Sequence, residues 1–126
     1  MSTAHGTINS LARDRDGNLA TAVSTSGWAW GYPGRLGDSP VLGARSYADN
    51  RWAAAASTGT GEAVLRVSTT RSIVLYMKMG WDLGRAVREA MNRDGEHVGF
   101  SYREDERYVY MTDTMSDPAE VNMVSP

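Results

Sequence analysis

The order of hydrophobic patterns along this chain constrains its fold more than any other feature of the sequence. Alternating, β-rich segments come first, segments with helical spacing occupy the middle, and alternating segments return at the end. This order is typical of an α+β arrangement in which a mainly antiparallel sheet carries its helices on one face. With 126 residues, the chain has the size of one domain or of part of one.

The first half is predicted to contain a β-hairpin, a long loop and a buried strand. Residues 7–13 and 19–24 form the hairpin around turn chemistry at 14–18. Residues 25–50 hold five glycines and two prolines among aromatic and charged side chains, a composition that resists regular structure. Residues 52–57 are an apolar, alanine-rich run, and the glycines that follow favour a strand over a helix.

Three helices are predicted next, at 62–67, at 70–79 and after Asp82, which is a plausible N-cap. The second is apolar nearly all round and should be packed on more than one side. The third shows one apolar stripe, made of Leu83, Ala86, Val87, Ala90 and Met91. The last segments are a hairpin from 97–102 and 107–112, a loop at 113–118 and a strand at 119–124. The face of the sheet opposite the helices would then need a partner layer.

Composition narrows the possible functions. The formal net charge of -2, from 13 basic and 15 acidic side chains, argues against nucleic acid or an anionic membrane as the main partner. The absence of cysteine excludes disulfides and a thiolate nucleophile. His5, in a linker, and His97, at a strand edge, are too few and too far apart for a metal cluster, and no cofactor is expected. No segment reads as a signal peptide or membrane span, so a cytoplasmic protein is expected.

The junction between Gly6 and Thr7 is the strongest candidate for a catalytic feature. A small residue precedes a threonine that opens an apolar, strand-like segment. A threonine hydroxyl needs a base, and the threonine's own free α-amine, with a reference pKa of about 7.7–8.0, can serve as one. The nitrogen of Thr7 is an amide while Gly6 precedes it, so this chemistry requires a break of the Gly6-Thr7 bond.

Several rare motifs occur together between His5 and Arg66. They are the small residue before Thr7, followed by Ser-Thr-Ser-Gly, Gly-Arg-Leu-Gly-Asp-Ser-Pro and Thr-Gly-Thr-Gly-Glu. In these motifs the chain resembles the β-subunit of the glycosylasparaginase and isoaspartyl peptidase (plant-type L-asparaginase) family. That resemblance implies an N-terminal nucleophile hydrolase, with this chain as one half of a four-layer αββα sandwich. Residues 1–6 would be a remnant before the autocleavage site, and residues 7–126 the nucleophile-bearing half-domain.

The resemblance also implies roles for catalytic residues. Cleavage would fall between Gly6 and Thr7, and Thr7 would be the nucleophile. Thr25 would hydrogen-bond and tune its hydroxyl, while Thr58 and Gly59 would form the oxyanion hole. Glycine at 59 suits that role because backbone can approach a developing oxyanion closely. Read without the family, Thr7 is an ordinary strand threonine and Thr25 caps a turn.

Recognition of the substrate's amino acid head is implied for three residues. Arg35 and Asp38 match the pair that grips the α-carboxylate and α-amino group of an aspartyl unit, and Gly61 matches a backbone contact to the same head. An arginine fork suits a carboxylate, and the aspartate supplies the opposite charge. The alternatives are a plain ion pair between Arg35 and Asp38, and a phosphate loop at 59–62 that lacks the Gly-Lys-Ser/Thr ending. Three loop aromatics fit a pocket wall and a core equally well: Trp28, Trp30 and Tyr32.

The resemblance leaves the substrate open between two branches. The glycosylasparaginase branch usually carries Asp before its threonine and the isoaspartyl peptidase branch usually carries Gly, whereas this chain reads His5-Gly6-Thr7. Glycosylated asparagine is the first expectation, and isoaspartyl dipeptides or free asparagine are the alternative. The family's α-subunit has no counterpart before Thr7, so an α-subunit partner in an (αβ)2 assembly is expected. The alternative is a truncated, inactive fragment.

Overall fold

A computed structural model describes residues 6–94, 98–102, 107–111 and 115–122. Apart from one additional strand, its elements follow the predicted order, and the hairpins, the buried strand and the three helices are confirmed. The elements are β1 (Thr7–Arg13), β2 (Leu19–Thr25), β3 (Ser46–Asp49), β4 (Ala53–Thr58), α1 (Gly61–Val67), α2 (Thr69–Lys78), α3 (Leu83–Asp94), β5 (Val98–Tyr102), β6 (Arg107–Met111) and β7 (Ala119–Asn122). Predictions made for His5, His97, Thr112 and residues 113–114 and 123–124 lie outside the described residues.

The first hairpin owes its register to the turn between its strands. The Asp14 carboxylate accepts hydrogen bonds from the backbone N–H groups of Asp16 and Asn18 and from the Asn18 side chain, at 2.7–2.9 Å. The Asn18 side-chain hydrogen bond is the main reason why the pKa of the Asp14 carboxyl lies below its ordinary value. With the turn fixed, β1 and β2 pair antiparallel, and Thr7 lies directly opposite Thr25.

The hairpin forms a layer of its own, which corrects the single sheet with an open face expected from the sequence. The other strands form a five-stranded antiparallel sheet in the order β3-β4-β5-β6-β7. Ala53 and Ala55 of β4 belong to the core shared with the helices. Ala54 and Ala56 point the opposite way and are equally buried. The β1–β2 hairpin contacts β3 and β4 and covers that second face.

The strand β3 was not expected, because residues 25–50 were predicted to lack regular structure. Ser46–Asp49 pairs with the end of β4 nearest the turn, with Ala48 opposite Ala54. A four-residue strand is too short to show a hydrophobic period, and its pairing depends on a buried neighbour. The loop before β3 is held by α2, since Gly43 O accepts a hydrogen bond from Arg71 N at 3.0 Å and Ala44 O accepts one from Thr70 Oγ1 at 3.3 Å.

The helices pack on the other face of the sheet. All five residues of the predicted α3 stripe are buried, and Asp82 caps this helix by accepting a hydrogen bond from Gly84 N at 2.9 Å. Helix α2 contacts α3, β3 and β4, as expected for a helix packed on more than one side, although Leu75 is 42% exposed. Among the described helices, none combines the length and apolar character needed to cross a membrane.

Candidate active site

A cleft of about 410 Å³ opens where β1 begins and where β2 and β4 end. Seven of the eight residues singled out from the sequence line it: Gly6, Thr7, Thr25, Arg35, Asp38, Thr58 and Gly59. They come from four separate parts of the chain, namely the two ends of the hairpin, the long loop, and the end of β4 with the residue that follows it. The fold therefore brings together residues that lie up to about fifty positions apart in the sequence.

Two threonine hydroxyls line the cleft on the side that the hairpin forms. The Thr7 hydroxyl donates a hydrogen bond to Thr25 Oγ1 over 3.2 Å, and the Gly27 backbone N–H donates to the same oxygen over 3.0 Å. The Thr25 oxygen is thus held by the backbone of Gly27, and it in turn sets the direction of the Thr7 hydroxyl. This arrangement follows from the hairpin register, because the two threonines are a cross-strand pair.

Side-chain amides hold the hairpin against the larger sheet at both ends. Asn9 Nδ2 donates to Ser57 O at 2.7 Å, close to the cleft. At the far end, Asn50 Oδ1 accepts from Leu19 N at 2.7 Å and Asn50 Nδ2 donates to Asn18 Oδ1 at 2.9 Å. These contacts fix the position of β1 relative to β4, so the start of β1 is held beside the end of β4.

The end of β4 and the residue after it, Thr58 and Gly59, are positioned by backbone conformation and by a buried arginine. Gly59 has a φ of 137°, which side chains other than glycine's hydrogen rarely tolerate. Arg45 Nη2 donates to Gly59 O, and Arg45 Nη1 lies 3.5 Å from Ser57 O. With both carbonyls held from beneath, the Thr58-Gly59 backbone has a defined orientation toward the cleft.

The charged residues of the cleft pair differently from the sequence interpretation. Arg35 and Asp38 do not form the loop ion pair that was considered as an alternative. Arg35 Nη2 instead lies 3.7 Å from Glu62 Oε1, and the Asp38 carboxylate pairs with Arg45 Nε. The Arg35 side chain is 32% exposed, whereas the side chains of Asp38 and Arg45 are 10% and 4% exposed. Arg35 therefore faces solvent in the cleft, while Asp38 lies in a buried ion pair.

Gly61 is the one predicted site residue absent from the described lining of the cleft. It is the first residue of α1 and is buried against Asp38. A Cβ at this position would lie 2.5 Å from Asp38 Oδ1 and 2.9 Å from Asp38 Cγ, so only glycine fits. The structure thus places Gly61 behind the Asp38 carboxylate, where it limits the movement of that group.

The three loop aromatics match neither alternative as a group. Trp28 lines the cleft and is 43% exposed. Trp30 and Tyr32 are 101% and 85% exposed, so they belong neither to the cleft wall nor to the core. Trp30 also has a positive φ of 65°, an uncommon conformation for a bulky residue. The loop 28–32 therefore presents aromatic surface at the edge of the cleft.

Arg45 is the functional candidate that sequence reasoning missed. It precedes β3 in a stretch read as loop, and surface exposure is the ordinary expectation for a loop arginine. Its burial results from contacts with Asp38, which lies earlier in the same loop, and with Ser57 and Gly59, which lie beyond β3. No local pattern reports such contacts. Within the described ranges, no group of three or more His, Asp or Glu side chains could hold a metal ion.

Two kinds of comparison relate this chain to known proteins. A model of the asparaginase family, Asparaginase_2, matches residues 1–102. An N(4)-(beta-N-acetylglucosaminyl)-L-asparaginase of Elizabethkingia miricola is 44% identical over 89 residues, which are 71% of this chain and 26% of that relative. An isoaspartyl peptidase of Escherichia coli is 44% identical over 88 residues, covering 70% and 26%, and an isoaspartyl peptidase/L-asparaginase of Danio rerio is 43% identical over 75 residues, covering 60% and 24%.

The matched relatives fall in both branches suggested by the sequence motifs. Each is much longer than this chain, which spans about a quarter of the length of the curated relatives it matches. The family model nevertheless covers most of the chain, including every residue of the cleft. The chain therefore belongs to the asparaginase family of glycosylasparaginases and isoaspartyl peptidases.

Proposed function

We propose that this chain is the threonine-bearing part of an amidohydrolase that cleaves the side-chain amide of an asparagine derivative after the Gly6-Thr7 bond is broken. The observation that carries the proposal is the hydrogen-bonded pair of Thr7 and Thr25 in a cleft shared with Thr58-Gly59 and Arg35. Acyl transfer on such a substrate needs three parts: a nucleophile, a backbone segment that stabilises the oxyanion, and a cation that binds the substrate's carboxylate.

Cleavage supplies the base. Once Gly6 is removed, the Thr7 nitrogen becomes a free amine, which accepts the proton of the Thr7 hydroxyl as Oγ1 attacks the amide carbon. The carbon–nitrogen bond then breaks, the proton passes to the leaving nitrogen, and an aspartyl ester remains on Thr7. Water hydrolyses this ester and regenerates the hydroxyl. Thr25 keeps Thr7 Oγ1 oriented throughout, because its own oxygen is held by Gly27 N.

The remaining residues stabilise charge. Thr58 and Gly59 receive the oxyanion of the tetrahedral intermediate, an interaction for which a single donor contributes about 2.7–4 kcal/mol. Arg45 supports this backbone from below by binding Gly59 O. Arg35 binds the α-carboxylate of the substrate, since its guanidinium lines the cleft and is the more exposed of the two arginines there.

Glycosylated asparagine is the first substrate and isoaspartyl dipeptide or asparagine the alternative. Trp28, half-exposed in the cleft wall, favours the glycosylated substrate because its ring offers a flat apolar surface to a sugar. The exposed hairpin face that includes Ile8, 71% exposed, is where a further α-subunit layer would complete a four-layer αββα sandwich. A purified chain that binds no such partner and hydrolyses none of these amides would instead be the inactive fragment.

Intact-mass spectrometry tests the first step directly. We expect the purified protein to lose residues 1–6 and to begin at Thr7, because the proposed activity requires the free amine that this cleavage produces. Replacement of Thr7 by valine should leave the chain whole, since the hydroxyl that attacks the preceding carbonyl is gone. A folded, homogeneous wild-type sample that retains Gly6 after prolonged incubation would contradict the proposal.

Arg35 provides a test of the substrate's orientation. We expect Arg35→Leu to raise KM by about tenfold or more for every substrate with a free α-carboxylate, because a desolvated charge pair is lost. The turnover number should change less, since Arg35 binds a part of the substrate that does not react. Arg66→Leu, on the last turn of α1 and outside the described cleft wall, is the matched control. Equal kinetics for the two variants would remove Arg35 from the site.

A further inference from the structure

The Arg35 side chain lies against three glycines of the long loop. A Cβ placed on Gly31 would lie 3.6 Å from Arg35 Cδ, and one placed on Gly27 would lie 4.0 Å from Nη1. A Cβ on Gly37 would come closest to the guanidinium, at 3.2 Å from Nη1, 3.8 Å from Cζ and 3.9 Å from Nη2. The loop from 27 to 37 therefore curls around the arginine, and its glycines leave the space that the side chain occupies.

Backbone conformation does not account for glycine at position 37. Gly34, in the same loop, has a φ of 89°, which favours glycine whatever lies nearby, and a Cβ there would meet no atom within 4 Å beyond its chain neighbours. Gly37 differs on both counts. Its φ lies outside the left-handed region, and the three nearest atoms to its missing side chain, chain neighbours aside, all belong to the Arg35 guanidinium. What glycine provides at 37 is therefore space for that group.

Polar partners hold the guanidinium only weakly. Glu62 Oε1 lies 3.7 Å from Arg35 Nη2, and the Glu62 side chain is 61% exposed, so water screens the attraction. Within the part of the chain that the structure describes, no other hydrogen bond or ion pair involves this guanidinium. Its position in the cleft therefore depends on the shape of the surrounding loop, and of the three glycines Gly37 comes closest to it.

We propose that Gly37 is a positioning residue for Arg35, and that the bare backbone at 37 lets the guanidinium lie where it meets the α-carboxylate of the substrate. Both residues line the cleft. A methyl group at 37 would force the guanidinium to shift by a few tenths of an ångström, and a branched side chain would displace it further. Such shifts weaken binding because charge-assisted hydrogen bonds depend on their geometry. The inference rests on the proposed function for the role of Arg35, and it adds the residue that sets the position of that group.

Binding of L-aspartate, the acid that the proposed reaction releases, tests this role without requiring cleavage or hydrolysis. Titration calorimetry on the purified full chain should give dissociation constants that rise about threefold for Gly37→Ala and about tenfold or more for Gly37→Val. Gly34→Ala is the matched control, because it strains the backbone of the same loop at a position outside the described cleft wall. Its dissociation constant should stay within about twofold of the wild-type value.

Three results would overturn the proposal. They are wild-type affinity in Gly37→Val, equal weakening by Gly34→Ala and Gly37→Ala, and no binding of L-aspartate by the wild-type protein. If Gly37→Val does not fold, Gly37→Ala decides, since it adds one methyl group where the backbone conformation does not require glycine.

A second pair of variants shows whether Gly37 acts through Arg35. Lysine at 35 keeps the positive charge, but its side chain ends one atom earlier and lacks the Nη1 atom that lies closest to Gly37. Gly37→Ala should therefore weaken binding of L-aspartate less than about 1.5-fold when it is added to Arg35→Lys, against about threefold in the wild-type protein. The same loss in both backgrounds would mean that the methyl group damages the cleft independently of Arg35, and would overturn the proposal.

The outcomes for this inference and for the proposed function are separable. A protein that binds L-aspartate in the expected pattern, but neither cleaves itself nor hydrolyses an amide, would refute the hydrolase and leave the role of Gly37 intact. A protein that cleaves itself and hydrolyses L-asparagine, with equal affinity for L-aspartate in the wild type and in Gly37→Val, would do the reverse. In an active protein, Gly37→Val should raise KM while the turnover number changes little, because the group that it displaces binds a part of the substrate that does not react.

Discussion

The Thr7→Ala variant is expected to lose amide hydrolysis by about 10³-fold or more relative to the wild-type protein, because no other group can form the aspartyl ester. The same change should also prevent loss of residues 1–6. Thr7→Ser keeps a hydroxyl at the same position and should restore both cleavage and measurable turnover. Release of the amine or ammonia product, measured under saturating substrate, checks the first effect, and intact mass checks the second.

A matched control for this prediction exists on the same hairpin. Thr21→Ala removes the same atoms from a half-buried threonine of β2 that lies outside the described cleft wall. Its hydrolysis rate should stay within about threefold of wild type, because Thr21 does not line the cleft. Any loss of hairpin stability should affect both variants alike. Comparable losses in Thr7→Ala and Thr21→Ala would mean that the hairpin, and not the Thr7 hydroxyl, supports activity.

Elements that depend on local signals could be predicted from the sequence. Turn-forming residues between Asp14 and Asn18 predicted the first hairpin. Asp82 as an N-cap, followed by an apolar stripe, predicted α3. The alanine run of β4 was placed correctly because the glycines after it stop a helix. Each of these assignments needed only a few consecutive residues, and each is confirmed by the structure.

Features that depend on distant contacts could not be predicted. The hairpin reads the same in sequence whether it extends a sheet or covers one, and only the burial of Ala54 and Ala56 shows that it covers β4. The strand β3 exists because β4 pairs with it. The family motifs brought Thr7, Thr25 and the other cleft residues to attention, but they did not reveal the partner of Asp38, because nothing near Arg45 in sequence indicates burial.

This gap bears on how the motif that contains Arg35 and Asp38 is interpreted. The Arg-Asp motif by itself suggested a site for a zwitterionic head. The structure shows that the aspartate of that motif has a second arginine as its neighbour, and that this arginine also contacts the backbone of Gly59. A loop residue outside the motif can therefore determine how the aspartate inside the motif is paired.

The stability of the protein should depend strongly on this buried pair. We expect Arg45→Ala to lower the free energy of unfolding by about 3–5 kcal/mol, because it leaves the Asp38 carboxylate buried without its counter-charge. Arg51→Ala is the matched control: Arg51 pairs with Asp49 at 2.8 Å, but its side chain is 75% exposed, so its loss should change stability far less. Urea unfolding at neutral pH measures both.

A double-mutant cycle distinguishes the electrostatic contribution of the Asp38–Arg45 pair to stability from the contribution of side-chain packing. Asp38→Asn should also destabilise the protein, since Arg45 would then be the unpaired charge. The double variant Asp38→Asn with Arg45→Met removes both charges, and its loss should be clearly smaller than the sum of the two single losses, because neither charge is left buried alone. Additive losses would mean that the two side chains stabilise the fold independently, through packing, and that their charges are not coupled.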